Sequence, residues 1–397
     1  MPQQLHDHIK LHHVHFNEVN ELYISLSLRA FAIGLVGIFV PIYLLVLGLP
    51  MVAIAGFFMV MFGTKVLLHP LTARMSARFG PKHIIVLSYI VSFVYIMMLY
   101  ALPQYMWLLY PAAVIGGIAD GWFWLSRHID WAAVAGRKKA SSEYSWLLIF
   151  SNIAMTMAPL IGGVVASAFG IEYALLGAGA GLLLAIYPLL KTLEPVVPRR
   201  ANLRLLKAAP WQHLAANFAM NFQSVVSVLF WPIFIYLIVL SYDAIGVIVS
   251  ASLLLVLLTA WFLGRLGDRG KNTQILKSGS RLRALVHIAR VPVQSFPGAM
   301  AVNIAGDVTD MLASTPYAIR FYEGARRHGV TSYLVDMEIA GDAAKVASWA
   351  LLLVLYIFLG LGAALIVTFV LAAVLMPLLR WIEIPAQSPE PLQGQAV

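Results

Sequence analysis

Apolar residues in this chain come in runs of about 20 or more, separated by short polar breaks,. That spacing matches the hydrocarbon thickness of a bilayer. Backbone polar groups in lipid must be satisfied within the segment or within a closed barrel. A barrel strand needs strict apolar–polar alternation. The stretch from Ala350 to Leu379 is apolar on every face instead, so the runs read as helices. Twelve spans are predicted: 20–47, 50–70, 82–101, 105–133, 142–168, 171–191, 210–239, 243–264, 275–294, 297–320, 331–358 and 360–381. The ninth is the most polar, with Arg281, Arg283, His287 and Arg290 crowding it. The predicted fold class is an all-α integral membrane protein with twelve transmembrane helices.

The pattern repeats at half length. Phe39-Val40-Pro41-Ile42 matches Phe230-Trp231-Pro232-Ile233, Asp120 falls over Asp310, and the basic cluster at Arg137 falls over Arg327. Arg78-Phe79-Gly80 falls over Asp268-Arg269-Gly270. Between the copies, residues 192–208 carry Pro195 and Pro198 with Arg199, Arg200, Arg204 and Lys207, and contain no apolar run. The expected organisation is a tail (1–19), a six-helix bundle (20–191), a linker (192–208), a second, pseudo-symmetric six-helix bundle (209–382) and a second tail (383–397).

Composition supports this reading and orients it. Of 397 residues, 61% are hydrophobic and 11% charged, too few charges to cover a soluble domain of this size,. The net charge of +9 would suit nucleic acid, but it lies in short loops beside apolar runs, so no nucleic-acid partner is expected,. Arg74, Arg78 and Lys82 follow span 2, and Arg137, Lys138 and Lys139 follow span 4. Arg265, Arg269, Lys271 and Lys277 follow span 8, and Arg326 and Arg327 follow span 10. The alternate connections carry almost no Lys or Arg. The basic loops therefore read as cytoplasmic, with both termini on that side of a cell (inner) membrane. No cleavable signal pattern opens the chain. There is no Cys, which rules out disulfides and thiolate metal sites. The histidines at 6, 8, 12, 13 and 15 read as a polar tail, so no metal and no cofactor is expected.

Ionisable groups at membrane depth are costly and mark functional candidates. In span 10, Asn303, Asp307, Asp310, Ser314 and Tyr317 recur at helical spacing on one face,. Span 4 carries Gly117, Asp120, Trp124, Arg127 and Trp131, span 7 His213, Asn217, Asn221 and Ser224, and span 1 Ser25 and Arg29. A cavity lined by Arg29, Asp120, Trp124, Asn217, Asn221, Asn303, Asp307 and Asp310 would suit a polar or amphipathic organic solute. Second readings stand beside this one: Arg29 and Asp120 as an ion pair inside one half, Asp307 bonded to backbone near Gly306, and the tryptophans as packing. In span 11, Glu338, Asp342 and Lys345 share a face,. They read either as a structural ion pair or as a proton site. Asp120, Asp310 and Asp342 are the proton-coupling candidates.

The turn Gly264-Arg265-Leu266-Gly267-Asp268-Arg269-Gly270-Lys271 resembles the pattern that follows the second helix of each half in the major facilitator superfamily of secondary transporters. The resemblance covers residues 20–381. The N-half copy departs from it, with Arg78 where the family usually has Asp. The resemblance implies two bundles rocking about a midplane site lined by spans 1, 4, 7 and 10. It also implies a cytoplasmic gate involving Arg74, Arg78, Gly264, Asp268 and Arg269, with Asp268 approaching the start of span 5 near Ser141 and Ser142. The expected function is secondary active transport of a small organic solute by alternating access, coupled to protons, in a monomer embedded in the bilayer. The alternatives are an uncoupled facilitator, or a membrane receptor or enzyme that transports nothing. No phosphate loop, His-Glu-x-x-His or Gly-x-Ser-x-Gly sequence supports an enzyme or ATP-driven pump.

Overall fold

The computed structural model describes residues 24–134, 156–190, 207–267 and 272–383, with the helix path alone for 257–267. The described chain is helical. The first predicted span is two helices, α1 (Ile24–Gly34) and α2 (Val40–Val46), joined by a turn at 35–39. Next come α3 (Met51–Phe79), α4 (Pro81–Ala101), a 3-10 turn (Met106–Leu108) and α5 (Leu109–Val134). The N-half ends with α6 (Thr156–Phe169) and α7 (Ile171–Leu189). The second half opens with α8 (Trp211–Val225), a π-turn (Val226–Phe230) and α9 (Trp231–Val239). There follow α10 (Tyr242–Gly267), α11 (Asn272–Ala289), α12 (Phe296–His328), α13 (Val330–Leu359) and α14 (Leu361–Leu375), with a 3-10 turn to Ile382. Among the described residues, seven helices are long and apolar enough to cross a membrane, and α1, α6 and α10 contribute shorter apolar stretches.

The repeat is written in the backbone. The first span of each half breaks at the same place: 35–39 in one, 226–230 in the other. Each break precedes a proline, Pro41 or Pro232, which lacks the N–H that would continue the ladder,. The link from α6 to α7 is Gly170 at φ +108°, and that from α13 to α14 is Gly360 at φ +77°. Both need a residue without Cβ.

Several boundaries differ from the predicted ones. Span 2 runs past Pro70 to Phe79, so Arg74 and Arg78 sit on the last turns of α3 and the link to α4 is the single Gly80. Span 10 likewise continues to His328, which puts Arg326 and Arg327 on its last turn. At 1.5 Å per residue, these 29- and 33-residue helices exceed the roughly 30 Å hydrocarbon core, so the polar ends project beyond it,. Among the described residues each predicted span overlaps a helix, but α11 and α12 are not among the helices apolar enough to cross by composition, most of span 5 before 156 lies outside the described residues, and apolarity underestimated helices that outlast the membrane. Large apolar side chains such as Leu67, Leu184 and Phe358 point outward, as a lipid-facing surface requires.

Contacts between α6 and α10 and between α3 and α13 join the halves at the end away from the basic turns. Helices α6 and α10 meet backbone to backbone: a Cβ added at Gly246 would lie 2.5 Å from the Pro159 carbonyl oxygen, and one at Gly163 2.6 Å from that of Tyr242. The Leu160 N–H donates to Ser250 Oγ at 3.0 Å across the same seam. Helices α3 and α13 meet through side chains, with Phe58 stacked on Trp349 at 4.4 Å between ring centroids.

Candidate functional site

Deeper along the α3–α13 seam, the apolar packing gives way to charge. Lys65 of α3 is fully buried. Its ammonium donates to Asp120 Oδ2 of α5 at 2.7 Å and lies 3.1 Å from Asp342 Oδ1 of α13. One lysine therefore joins a carboxylate of its own half to a carboxylate of the other. Arg29 of α1 completes the Asp120 side at 3.6 Å, with its guanidinium 3.3 Å from the centroid of the Phe123 ring. Asp342 collects two further donors. Lys345, one turn along α13, lies 2.8 Å from Oδ1. His69 Nε2, one turn along α3 from Lys65, lies 2.7 Å from Oδ2. Facing an ionised carboxylate, that nitrogen carries the proton and donates.

The ligand atoms of His69, Glu338 and Asp342 lie within 4.8 Å of one another, the spacing of a divalent-metal site. Two ammonium groups already stand against Asp342, however, and a cation placed there would have to overcome both,. The cluster reads as an ion-pair network whose cations are the protein's own.

Toward the basic turns, His128 of α5 bridges to two helices of the other half. Its Nδ1 lies 2.7 Å from the Tyr322 hydroxyl on α12 and its Nε2 lies 3.3 Å from Glu338 on α13. Trp131 packs edge-on against Tyr322 at 6.4 Å.

A second network lies within the C-half. Arg283 of α11 and Arg290, just past its end, are buried among α8, α9, α12 and α14. Arg283 donates to Gln223, to the Gly306 carbonyl oxygen and, at 2.7 Å, to Ser227 within the π-turn. It also lies 3.5 Å from Asp310, which accepts from Gln223 at 3.1 Å. Arg290 donates to Ser227 at 3.2 Å and stands over the Trp231 ring at 5.0 Å. The π-turn, a common feature at functional sites, is what presents the Ser227 hydroxyl to both guanidinium groups.

The predicted residues separate accordingly. Arg29 and Asp120 meet as an ion pair, and Trp124 stacks with Arg127 at 5.1 Å and with His128 at 5.9 Å. Asp342 lies at the centre of the inter-half cluster, and Asp310 in the C-half network. Asn303 takes the Trp231 indole N–H and donates to Ser252, and Asp307 accepts from Ser252 and Asn303. Asn217 donates to the Met337 carbonyl oxygen and accepts from Tyr317 and Asn221. Asn217, Asn221, Asn303 and Asp307 are therefore engaged within the C-half. Arg74 and Arg78 are exposed at the end of α3, Arg78 standing over Phe79 at 5.2 Å. Gly264 lies within α10, and Asp268 and Arg269 lie outside the described residues, as do Ser141 and Ser142. Sequence reasoning passed over Lys65, His69, His128, Gln223, Arg283 and Arg290 as partners. Their signal was present: Lys65 and His69 stand four apart in an apolar run, and Arg283, His287 and Arg290 share a face at spacings of four and three.

The Major Facilitator Superfamily sequence model matches residues 22–302. The chain belongs to that superfamily, and it is a multi-pass membrane transporter. Its fold is shared with a solved structure described as a POT family transporter in complex with 5-aminolevulinic acid. The TM-score is 0.70 at 12% identity, over 90% of this chain and 94% of the other. No curated protein sequence matches the chain significantly.

Proposed function

We propose that the protein is a secondary active transporter that moves a small polar or amphipathic organic solute by alternating access, coupled to protons. The observation that carries this reading is Lys65, buried between Asp120 of its own half and Asp342 of the other. Breaking a buried pair by removing one partner's charge costs about 3–5 kcal/mol. A proton delivered to Asp342 removes that charge at the inter-half contact. Lys65 then falls back on Asp120, and the α3–α13 seam is free to part. When the proton leaves, the carboxylate again attracts Lys65, Lys345 and His69, and the seam re-forms. Asp120 and Asp310 are the further coupling candidates. Asp310 is about a third exposed and answers to Arg283 within one half.

In this reading the halves, 20–191 and 209–382, joined by the linker 192–208, rock about the midplane site as a monomer. The membrane is the cell membrane, and both termini and the basic turns face the cytoplasm, by the charge asymmetry of the loops. Arg74, Arg78, Gly264, Asp268 and Arg269 form the cytoplasmic gate, supplemented by the bridge from His128 to Tyr322 and Glu338. The bound ligand named for the structurally similar transporter, a small organic acid, is consistent with a solute of this size.

Uncoupled facilitation is the second reading. It is favoured by the same observation seen differently: Asp342 is already paired to permanent cations, so the network can serve as a latch without titrating. Uptake into proteoliposomes, with and without a protonophore, separates the two. Uptake that collapses on dissipating the gradient supports coupling, and unchanged uptake selects the facilitator.

A further inference from the structure

Helix α11 and the 3-10 turn that ends α14 pack together on the side of the basic turns. Their inward residues, Leu276, Met376, Leu379 and Ile382, are buried in one apolar cluster. Their outward residues are different. Lys277, Arg281, Leu285 and Ile288 recur at spacings of four, four and three, which puts them on one exposed face of α11,. Arg380 heads a second exposed face, continued along α14 by Val374 and Val370. Each face is cationic at its end toward the basic turns and aliphatic beyond. The two heads adjoin: Lys277 Nζ lies 3.8 Å from Glu383 Oε2, and the Glu383 N–H donates to the Arg380 carbonyl oxygen at 3.1 Å. Trp381, next to Arg380, meets Trp211 edge-on at 5.1 Å, and both rings are exposed. Tryptophans in such a place mark the boundary between hydrocarbon and headgroups.

We infer that this surface binds an anionic phospholipid of the adjoining leaflet, its headgroup against Lys277, Arg281 and Arg380 and its acyl chains along Leu285 and Val374. The site is independent of the transported solute and of proton coupling. Charge favours an anion. Three cations face one carboxylate, Glu383, and neither Arg281 nor Arg380 has a carboxylate partner among the described residues. The neighbouring charges do not alter that count. Arg320 and Glu323 of α12 pair with each other at 2.9 Å. Asp336 is buried, holding the N–H groups of Ala208 and Ala209, and Lys207 is a further exposed cation. Arg281 lies one turn, about 6 Å, further along α11 than Lys277, beside the exposed Leu282,. An exposed guanidinium at that depth is costly unless a headgroup reaches it. A phosphate accepts two parallel N–H bonds from a guanidinium. A zwitterionic headgroup brings its own cation into a patch that already has an excess, and a free phosphate leaves the aliphatic faces uncovered. An anionic phospholipid satisfies both parts of the surface.

The test uses full-length purified protein in a mild detergent and three probes: dioleoyl phosphatidylglycerol, dioleoyl phosphatidylcholine and glycerol 3-phosphate. Binding is followed by thermal shift over a concentration series. Phosphatidylglycerol is expected to stabilise the protein at lower concentration than phosphatidylcholine, and glycerol 3-phosphate to give no shift over the same range. Arg281→Gln and Arg380→Gln are each expected to raise the phosphatidylglycerol concentration needed about fivefold. Arg281→Lys should retain most of the effect. Arg327→Gln, which removes an exposed charge at the end of α12, is expected to leave the response as in the parent. The inference is overturned if phosphatidylglycerol gives no shift, if phosphatidylcholine acts as well, or if glycerol 3-phosphate alone stabilises. It is equally overturned if the response is unchanged in both patch Gln variants, or if Arg327→Gln weakens it as much as they do. Arg281→Gln breaks no ion pair or hydrogen bond among the described residues, so it stays informative even if Arg380→Gln, which loses the bond to the Pro377 carbonyl oxygen, unfolds.

Discussion

Lys65 carries a positive charge into an apolar helix, at an insertion cost of about 2.5–3.5 kcal/mol at a helix centre. What offsets that cost is two carboxylates supplied by different helices and different halves. Replacing Lys65 with Met leaves Asp120 to Arg29 and removes the lysine that joins α3 to α13, with His69 still on Asp342. A loss of about 3–5 kcal/mol is expected, read as a lower melting midpoint of the purified protein. Asp120, Arg29 and Asp342 were legible from the rule that charge at membrane depth is functional. Lys65, the partner common to Asp120 and Asp342, was overlooked although His69 stands one turn from it. Its meaning comes from α5 and α13, which spacing along one helix does not reveal. Ser227 is a simpler case. Its hydroxyl accepts from Arg283 and Arg290, so Ser227→Ala leaves buried guanidinium donors short of an acceptor. About 1–3 kcal/mol should be lost, in the same thermal assay, with little change in the helix content seen by circular dichroism.

Among the elements, α6 and α10 form the seal away from the basic turns, and glycine makes their contact possible. Gly246→Val places side-chain carbon where the Pro159 carbonyl stands, at 2.5 Å for the first atom alone. The helices must then separate. The chain has no native cysteine, so Ser250→Cys gives a clean reporter in this seam. Labelling of that cysteine by a membrane-impermeant maleimide is expected to be slow in the parent and several-fold faster with Gly246→Val. Equal rates would show that the seam is not held by backbone approach. Among the described residues most helices were legible, because a bilayer imposes a strong period-free signal of length and apolarity; α11 and α12 carry it weakly,. Ends were less so. Helices α3 and α12 continue into water, where hydropathy falls but the hydrogen-bond ladder does not. The break in the first span of each half was not predicted; it precedes Pro41 and Pro232, and the π-turn in the C-half depends on packing around Ser227 and Phe230, which no local pattern encodes.

At the scale of the whole molecule, the two halves are copies that have been given different charges. Asp120 and Asp310 occupy equivalent places, yet Asp120 faces Lys65 and Arg29 while Asp310 faces Gln223 and Arg283. Asp342 is charged where its N-half equivalent is Asn152. The duplication was readable from the sequence. The asymmetry was readable as residue types, but not as a connection between halves, since the pairing of α3 with α13 is a matter of tertiary arrangement. That connection is the central claim: a carboxylate at the inter-half seam, neutralised by a proton, releases the halves to move. Its most direct test is solute uptake by Asp342→Asn in proteoliposomes, measured both as uptake driven by a pH gradient and as exchange of labelled for unlabelled solute without one. The account predicts that the parent concentrates solute under the gradient and loses this with a protonophore, while Asp342→Asn retains exchange but no longer concentrates. Gradient-driven concentration by Asp342→Asn at the parental level would contradict it.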